Sequence, residues 1–189
     1  MFEDLKIVYW PDPRLLKRSK PVDVFDDSLH QLVQRMLVLM RESKGVGLAA
    51  PQVGINIRLF VMNHTGQPGD DRAYVNPVLS DQAGEEESEE GCLSLPGIHI
   101  DVLRSKVIRI TAQDVDGRPV DQQDSGYLAR IWQHETDHLD GILLTDRMSM
   151  GARLANRKIL KDLEERYNAE HPAAAKKSLV AAGKKRHKW

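Results

Sequence analysis

Apolar positions recur along the chain with two periods, and the period predicts most of the elements. Leu29, Leu32, Val33, Met36, Leu37 and Met40 stand three and four residues apart, the stripe of an amphipathic helix. Asp27-Ser28 precede the stripe as capping residues and Lys44-Gly45 stop it. Residues 58–62 and 74–79 are short apolar runs that predict strands. Residues 106–112 and 118–121 flank Asp116-Gly117 and read as a hairpin, with Pro119 favouring an edge position. Asp124-Ser125 can cap a helix running to about residue 140, with Gly141 as its stop. From Gly151 a charged helix is predicted to about residue 169, ended by Pro172. The order is helix, several short strands, helix, helix, without a βαβ rhythm. That predicts an α+β fold, with short antiparallel strands around a central helix and with an N-terminal and a C-terminal helix.

Composition narrows the class. The 189 residues fit one domain. Lys+Arg 27 against Asp+Glu 28 gives a charge of −1, which excludes a wholesale nucleic-acid coat and, with 41% hydrophobic residues, the disordered class. No apolar run reaches the roughly 18 residues of a membrane span. The start of the chain lacks the pattern of a signal peptide, and a single cysteine, Cys92, excludes an internal disulfide. A cytoplasmic location without membrane attachment is therefore expected. Charge is uneven in two places. Glu85, Glu86, Glu87, Glu89 and Glu90 crowd six positions and read as a solvated loop. Residues 172–189 hold Lys176, Lys177, Lys184, Lys185, Arg186 and Lys188 and no acid, leaving 21 basic against 28 acidic residues elsewhere. A catalytic domain over 1–171 followed by a basic tail over 172–189 is expected.

Chemistry concentrates in Gln133-His134-Glu135-Thr136-Asp137-His138-Leu139. Histidines at i and i+4 share one face of a helix, so both imidazoles can bind one cation. Glu135 is rotated away from that face and can reach a water rather than the metal, the position of a general base. A polar surface helix would show the same spacing by chance, but Leu128, Ile131, Trp132 and Leu139 surround the pattern. Buried His and Glu without partners are costly. A third ligand is needed, and Cys92, in Glu90-Gly91-Cys92-Leu93-Ser94, is the one soft anionic candidate. A lone cysteine is otherwise more often a small buried hydrophobe. A third segment, residues 45–52, is rich in glycine and alanine and ends in Gln52, whose amide can donate into a site. By itself it would be a tight turn, and it lacks the ending of a phosphate-binding loop.

Together, residues 45–52, 90–94 and 133–141 resemble the three motifs of the peptide deformylase family, in the family's order, and Asp12-Pro13-Arg14-Leu15 is similar to its N-terminal arm. The resemblance covers about residues 5–165. It implies a mononuclear site in which Cys92, His134 and His138 bind the metal, with an open fourth position. It implies Fe2+ as the native ion, with Zn2+, Ni2+ or Co2+ as substitutes, whereas the donor set alone suggests zinc first. It implies removal of the formyl group from the formyl-methionine of nascent chains during protein biosynthesis. Glu135 would move the proton, and the Gln52 amide and the Leu93 N–H would face the oxyanion. It places Val46, Tyr127, Arg130, Ile131 and His134 around a methionine pocket and gives Gly47 to the substrate main chain. Arg130, apolar in many relatives, is expected to lay its stem along the pocket and send its head to water. Glu90 and Arg104 match an internal ion pair. A monomer is expected, and the basic tail is a candidate ribosome contact. Two other readings compete with this one. A small zinc peptidase would normally take its third ligand from a later residue, not from an upstream Glu-Gly-Cys-Leu-Ser. A degenerate binding protein would be expected to lose Glu135, Gln52 or Cys92.

Overall fold

In the computed structural model, which describes residues 2–172, the first apolar stripe folds as helix α1, Asp27–Glu42. Its cap is Asp26, one residue earlier than expected, whose carboxylate accepts from the Leu29 N–H at 3.0 Å. All six residues of the stripe are buried, so the spacing does mark the core face.

Strands β1 (Gly47–Ala49), β2 (Leu59–Met62), β3 (Arg72–Gly91), β4 (His99–Gln113) and β5 (Pro119–Ser125) follow. They form one antiparallel sheet in chain order. Strand β2 is covered on both faces. Leu59 and Val61 join the cluster under α1, while Phe60 and Met62 join a second cluster around Trp132, as the two-residue alternation of a strand between layers requires. Strand β5 is one edge and β1 the other, and Pro119 is the first residue of β5, where its missing N–H disrupts no ladder.

Two strands are longer than the short ones expected. β3 takes in the whole glutamate block, which is therefore strand and not loop. Glu85 stands opposite Ser105, Glu86 opposite Arg104 and Glu90 opposite Ile100. Of the five glutamates only Glu90 is buried. The ladder shifts register between Val75 and Val78 and between Ser80 and Ala83. The first shift accommodates Pro77 and puts Asn76 at φ 53°. The Asn76 side chain then accepts from Val22 N–H at 2.8 Å and donates to Val22 C=O at 2.9 Å, tying the bulge to the N-terminal segment.

Helix α2 runs over Gly126–Leu139. Ser125 precedes it without a side-chain capping bond. Gly141 ends this region at φ 75°, and a Cβ there would lie 2.7 Å from the Leu16 carbonyl oxygen, so glycine is needed for conformation and for space. Short α3 (Leu144–Arg147) leads to α4 (Met150–Ala155) and α5 (Arg157–Glu170). The single C-terminal helix expected is thus broken at Asn156, whose amide donates to Ala152 C=O at 2.9 Å and competes with the helical pattern. Leu160 and Leu163 of α5 pack with Leu95, Ile98, Ile100 and Val102, bracing the turn after Cys92. No helix among the described residues is long and apolar enough to cross a membrane. From residue 173 the basic tail lies outside the described residues.

Candidate metal and catalytic site

Helix α2 and the end of β3 converge on one point. His134 and His138 stand one turn apart with ring centroids separated by 5.1 Å. Cys92, just past β3, brings Sγ to 3.3 Å from His138 Nε2. One ligand atom from each of Cys92, His134 and His138 lies within 4.8 Å of the others. Ligands at the bond lengths of a tetrahedral thiolate–imidazole centre stand roughly 3.4–3.8 Å apart, so the three residues fit one cation with little adjustment. A thiolate and two imidazoles are also the donor types that such a centre takes. With only protons to share, burial lowers the His134 pKa but hydrogen bonds to Cys92 and Glu90 outweigh it and hold it well above the ordinary value. Burial and the neighbouring His134 push His138 well below.

Behind His134 lies a buried ionic cluster. Glu90 accepts from Arg104 at 2.9 and 2.8 Å, from Arg130 at 2.8 Å and from His134 Nδ1 at 3.0 Å. Burial alone would raise its pKa, but Arg104 and His134 more than compensate and hold the carboxyl far below the usual range. Arg104 also donates to Asp137 at 2.6 Å, and Asp137 accepts from Arg147 at 2.6 and 3.1 Å. A carboxylate on the far nitrogen of an imidazole fixes its tautomer and orientation and leaves Nε2 for a metal. The Glu90–Arg104 pair implied by the motif resemblance is thus present.

Glu135 faces the other way. It is buried, and its Oε2 has no hydrogen-bond partner among the described residues. Burial, opposed by His134, pushes its pKa up to about 7. Gly47 makes room for it: a Cβ there would fall on Oε1 and lie 2.8 Å from Glu135 Cδ. Gln52 is also buried. Its Oε1 accepts from Ala49 N–H at 2.8 Å, which turns Nε2 toward Ser94 Oγ at 3.3 Å and Cys92 Sγ at 3.5 Å.

These groups open on a cleft of about 650 Å³. Leu93 lines it, as do Val46 and Tyr127, exposed at the rim, and the buried Ile131. Arg130 also lines the cleft, as expected, but the placing of its head corrects the expectation. Its head does not go to water but turns inward to Glu90, Val102 C=O at 2.8 Å and Glu86 C=O at 2.6 Å. The side chain is 7% exposed. Gly47 is buried against Glu135 and sits in β1, paired with Met62. Three residues had no role assigned from sequence. Ser94 meets the Gln52 amide, Asp137 meets Arg104 and Arg147, and Gln133 clasps Ser105 N–H and C=O at 3.0 and 2.9 Å. Gln133 and Asp137 lie inside the histidine motif, which was the available signal.

The fold and the site define a class first: an α+β protein with a Cys-His-His group able to hold one metal ion beside a buried carboxylate, as in mononuclear metallohydrolases. Comparison with known proteins gives the family. The polypeptide deformylase family profile matches residues 4–153. Peptide deformylase 1B, chloroplastic, from Oryza sativa subsp. japonica is 45% identical over 166 residues, covering 86% of this chain and 62% of that protein. Peptide deformylase from Thermotoga sp. (strain RQ2) is 46% identical over 159 residues, covering 84% of this chain and 95% of that protein. The chain therefore spans less than two thirds of the rice protein and nearly all of the Thermotoga one. The crystal structure of Arabidopsis thaliana peptide deformylase 1B with an inhibitor aligns at a TM-score of 0.84 and 39% identity, covering 88% of this chain and 94% of that one. The chain belongs to the peptide deformylase family, whose members are metal-dependent hydrolases that remove the formyl group from the amino terminus of newly made polypeptides.

Proposed function

We propose that this chain hydrolyses N-formyl-methionyl polypeptides to formate and a free amino terminus, with Cys92, His134 and His138 as metal ligands and Glu135 as the general acid–base. The observation that carries this reading is the convergence of three ligand atoms within 4.8 Å beside a buried Glu135 oxygen that has no partner among the described residues. A divalent cation held there supplies a Lewis acid that makes water a nucleophile at neutral pH. Glu135 accepts the proton of the attacking water and returns it to the departing amine. The Gln52 Nε2, aimed by the Ala49 hydrogen bond, and the Leu93 N–H face the charge that develops on the formyl oxygen.

Val46, Tyr127, Ile131 and the edge strand around Gly47 line the cleft and receive the methionine side chain and the first peptide units. Arg130 lines the same wall with its stem, while its head is held inside by Glu90. Fe2+ is the native ion in this reading, and Zn2+, Ni2+ or Co2+ can replace it. Residues 1–171 form the catalytic unit, a monomer acting in the cytoplasm. The basic tail over 172–189 meets the ribosome through phosphate contacts that weaken with salt.

Anaerobic purification, metal analysis and formate release from formyl-Met-Ala-Ser test the reading. Formate appearing in proportion to bound metal is expected, with iron as the ion found. A cleaved Met–Ala bond without formate would mark a peptidase instead. Cys92→Ser should strip or weaken the metal, because a hydroxyl is a poor ligand at neutral pH. Full metal occupancy in that variant removes Cys92 from the ligand set.

A further inference from the structure

We infer that Arg130 is a positioning residue for the metal site: its guanidinium locks the helix bearing His134 and His138 to the hairpin bearing Cys92, and holds the Glu90 carboxylate on His134. This rests on the metal-site reading above. Arg130 lies one turn before His134 and two before His138, on the same stripe of α2. Nη1 donates to Glu90 Oε1 at 2.8 Å and to Val102 C=O at 2.8 Å, and Nη2 donates to Glu86 C=O at 2.6 Å. One rigid fork thus joins α2 to both strands of the β3–β4 hairpin. Glu90 lies two residues before Cys92, so the fork acts close to the point where the thiolate must meet the two imidazoles.

The charges distribute accordingly. Glu90 Oε1 receives Arg130 and Arg104 Nε, while Oε2 receives Arg104 Nη2 and His134 Nδ1. Arg104 is shared with Asp137 at 2.6 Å. Without Arg130, the buried Glu90 and the part-buried Asp137 depend on Arg104 and the half-exposed Arg147, and Glu90, left with Arg104 alone to set its angle, is held less firmly against the imidazole. A lysine keeps the charge but lacks the planar fork that reaches a carboxylate and two carbonyls together.

Wild type, Arg130→Met and Arg130→Lys are loaded with Zn2+, and release to excess chelator is timed. Melting is followed with and without Zn2+, and the thiolate bands of the Co2+ forms are recorded. Arg130→Met should release Zn2+ about 10–100-fold faster than wild type, the usual effect of losing a partner behind a ligand. Arg130→Lys should fall between them. The rise in Tm on metal binding should shrink and the Co2+ bands should shift. Release within about twofold of wild type, with equal Tm losses in metal-free and loaded forms, would mean that Arg130 only packs the fold, and overturns the inference. If Arg130→Met does not fold, the release rate of Arg130→Lys decides by the same criterion. Wild type that takes up no Zn2+ or Co2+ overturns the metal-site reading itself, and this inference with it. Uptake by wild type with unaltered variants overturns this inference alone.

Discussion

The cleft side of α2 and the side resting on the β3–β4 hairpin each bury one glutamate. Glu135 is 4% exposed and Glu90 7%, so both lose nearly the same hydration. Their surroundings then part. Glu90 meets two guanidiniums and an imidazole and stays charged far into acid. Glu135 has an oxygen without a partner among the described residues and, with no metal bound, takes up a proton near pH 7. Two carboxyls driven apart by their settings mark a division of labour. One side is saturated and rigid, and it aims the ligands. The other is short of partners, and it can exchange protons. The under-satisfied side costs stability, which the saturated side and the packing around Trp132 must offset.

The largest effect expected comes from removing the proton acceptor on the cleft side. Glu135→Gln keeps shape and should keep the metal, while turnover falls by roughly 10²–10⁴. Near-normal formate release would refute the role, and loss of metal would make Glu135 part of the ligand set. The same variant separates activity from stability. A folded-state pKa raised from 4.5 to about 7 means that the native state holds the proton more tightly than the unfolded chain. Metal-free wild type therefore loses stability as pH climbs between those values. Metal-free Glu135→Gln should be the more stable protein at pH 8, by about 2–3 kcal/mol, with the gap closing below pH 5.

On the saturated side the same change has the opposite sign. Glu90→Gln strands Arg104 and Arg130 in the interior and should destabilise by about 3–5 kcal/mol at neutral pH. Because the native pKa of Glu90 is depressed, its contribution is complete above the ordinary carboxylate value and is lost as pH falls through the native one. Wild type and variant should therefore converge in strong acid, as denaturant titrations at a series of pH values can show. A constant gap across that range would mean that Glu90 is not held as a charged partner.

A smaller effect is expected where the cleft side is tuned by space alone. Gly47→Ala places a methyl against the Glu135 carboxylate and should lower kcat roughly 10–100-fold by misplacing it. In a Glu135→Gln background the added methyl should cost almost nothing, because the group that it displaces no longer moves a proton. Additive losses in the double variant would mean that the methyl acts on the substrate main chain and not through Glu135.

What could be read from sequence follows this same division. The i, i+4 histidines, the lone thiol and the α1 stripe are local or unique features, and spacing or elimination finds them. The supporting side is built from pairs far apart in the chain, such as Glu90 with Arg130 and Arg104 with Asp137, which no local period encodes. The glutamate block misled because both faces of that stretch of β3 are mostly open to solvent, so no apolar alternation marks the strand. Pairing with β4 creates it. Arg130 had a local signal, since it shares the stripe of His134 and His138, but a head sent to water and a head turned inward place the backbone identically. Only the position of Glu90 settles where the guanidinium goes. The break at Asn156 was equally hidden, because the polar residues around it fit an exposed helix whether it is continuous or not.

The smallest expected effect marks where the saturated side ends. Arg147 is the outermost member of the cluster, 38% exposed, and pairs with Asp137, which is 15% exposed. Asp137 keeps its part-buried contact with Arg104 when Arg147 is removed. Arg147→Met should therefore cost no more than about 1 kcal/mol, the value of an exposed pair. Most of that should vanish near 1 M salt, where screening acts over about 3 Å. The Glu90→Gln loss should persist in the same salt, because its partners are shielded from ions. Metal release should be unaltered in Arg147→Met, since no bond from Arg147 reaches Glu90 or His134. A loss of about 2 kcal/mol or more that survives salt, or faster metal release, would extend the rigid side of α2 to the surface. The boundary between the supporting cluster and ordinary surface charge would then lie beyond Asp137.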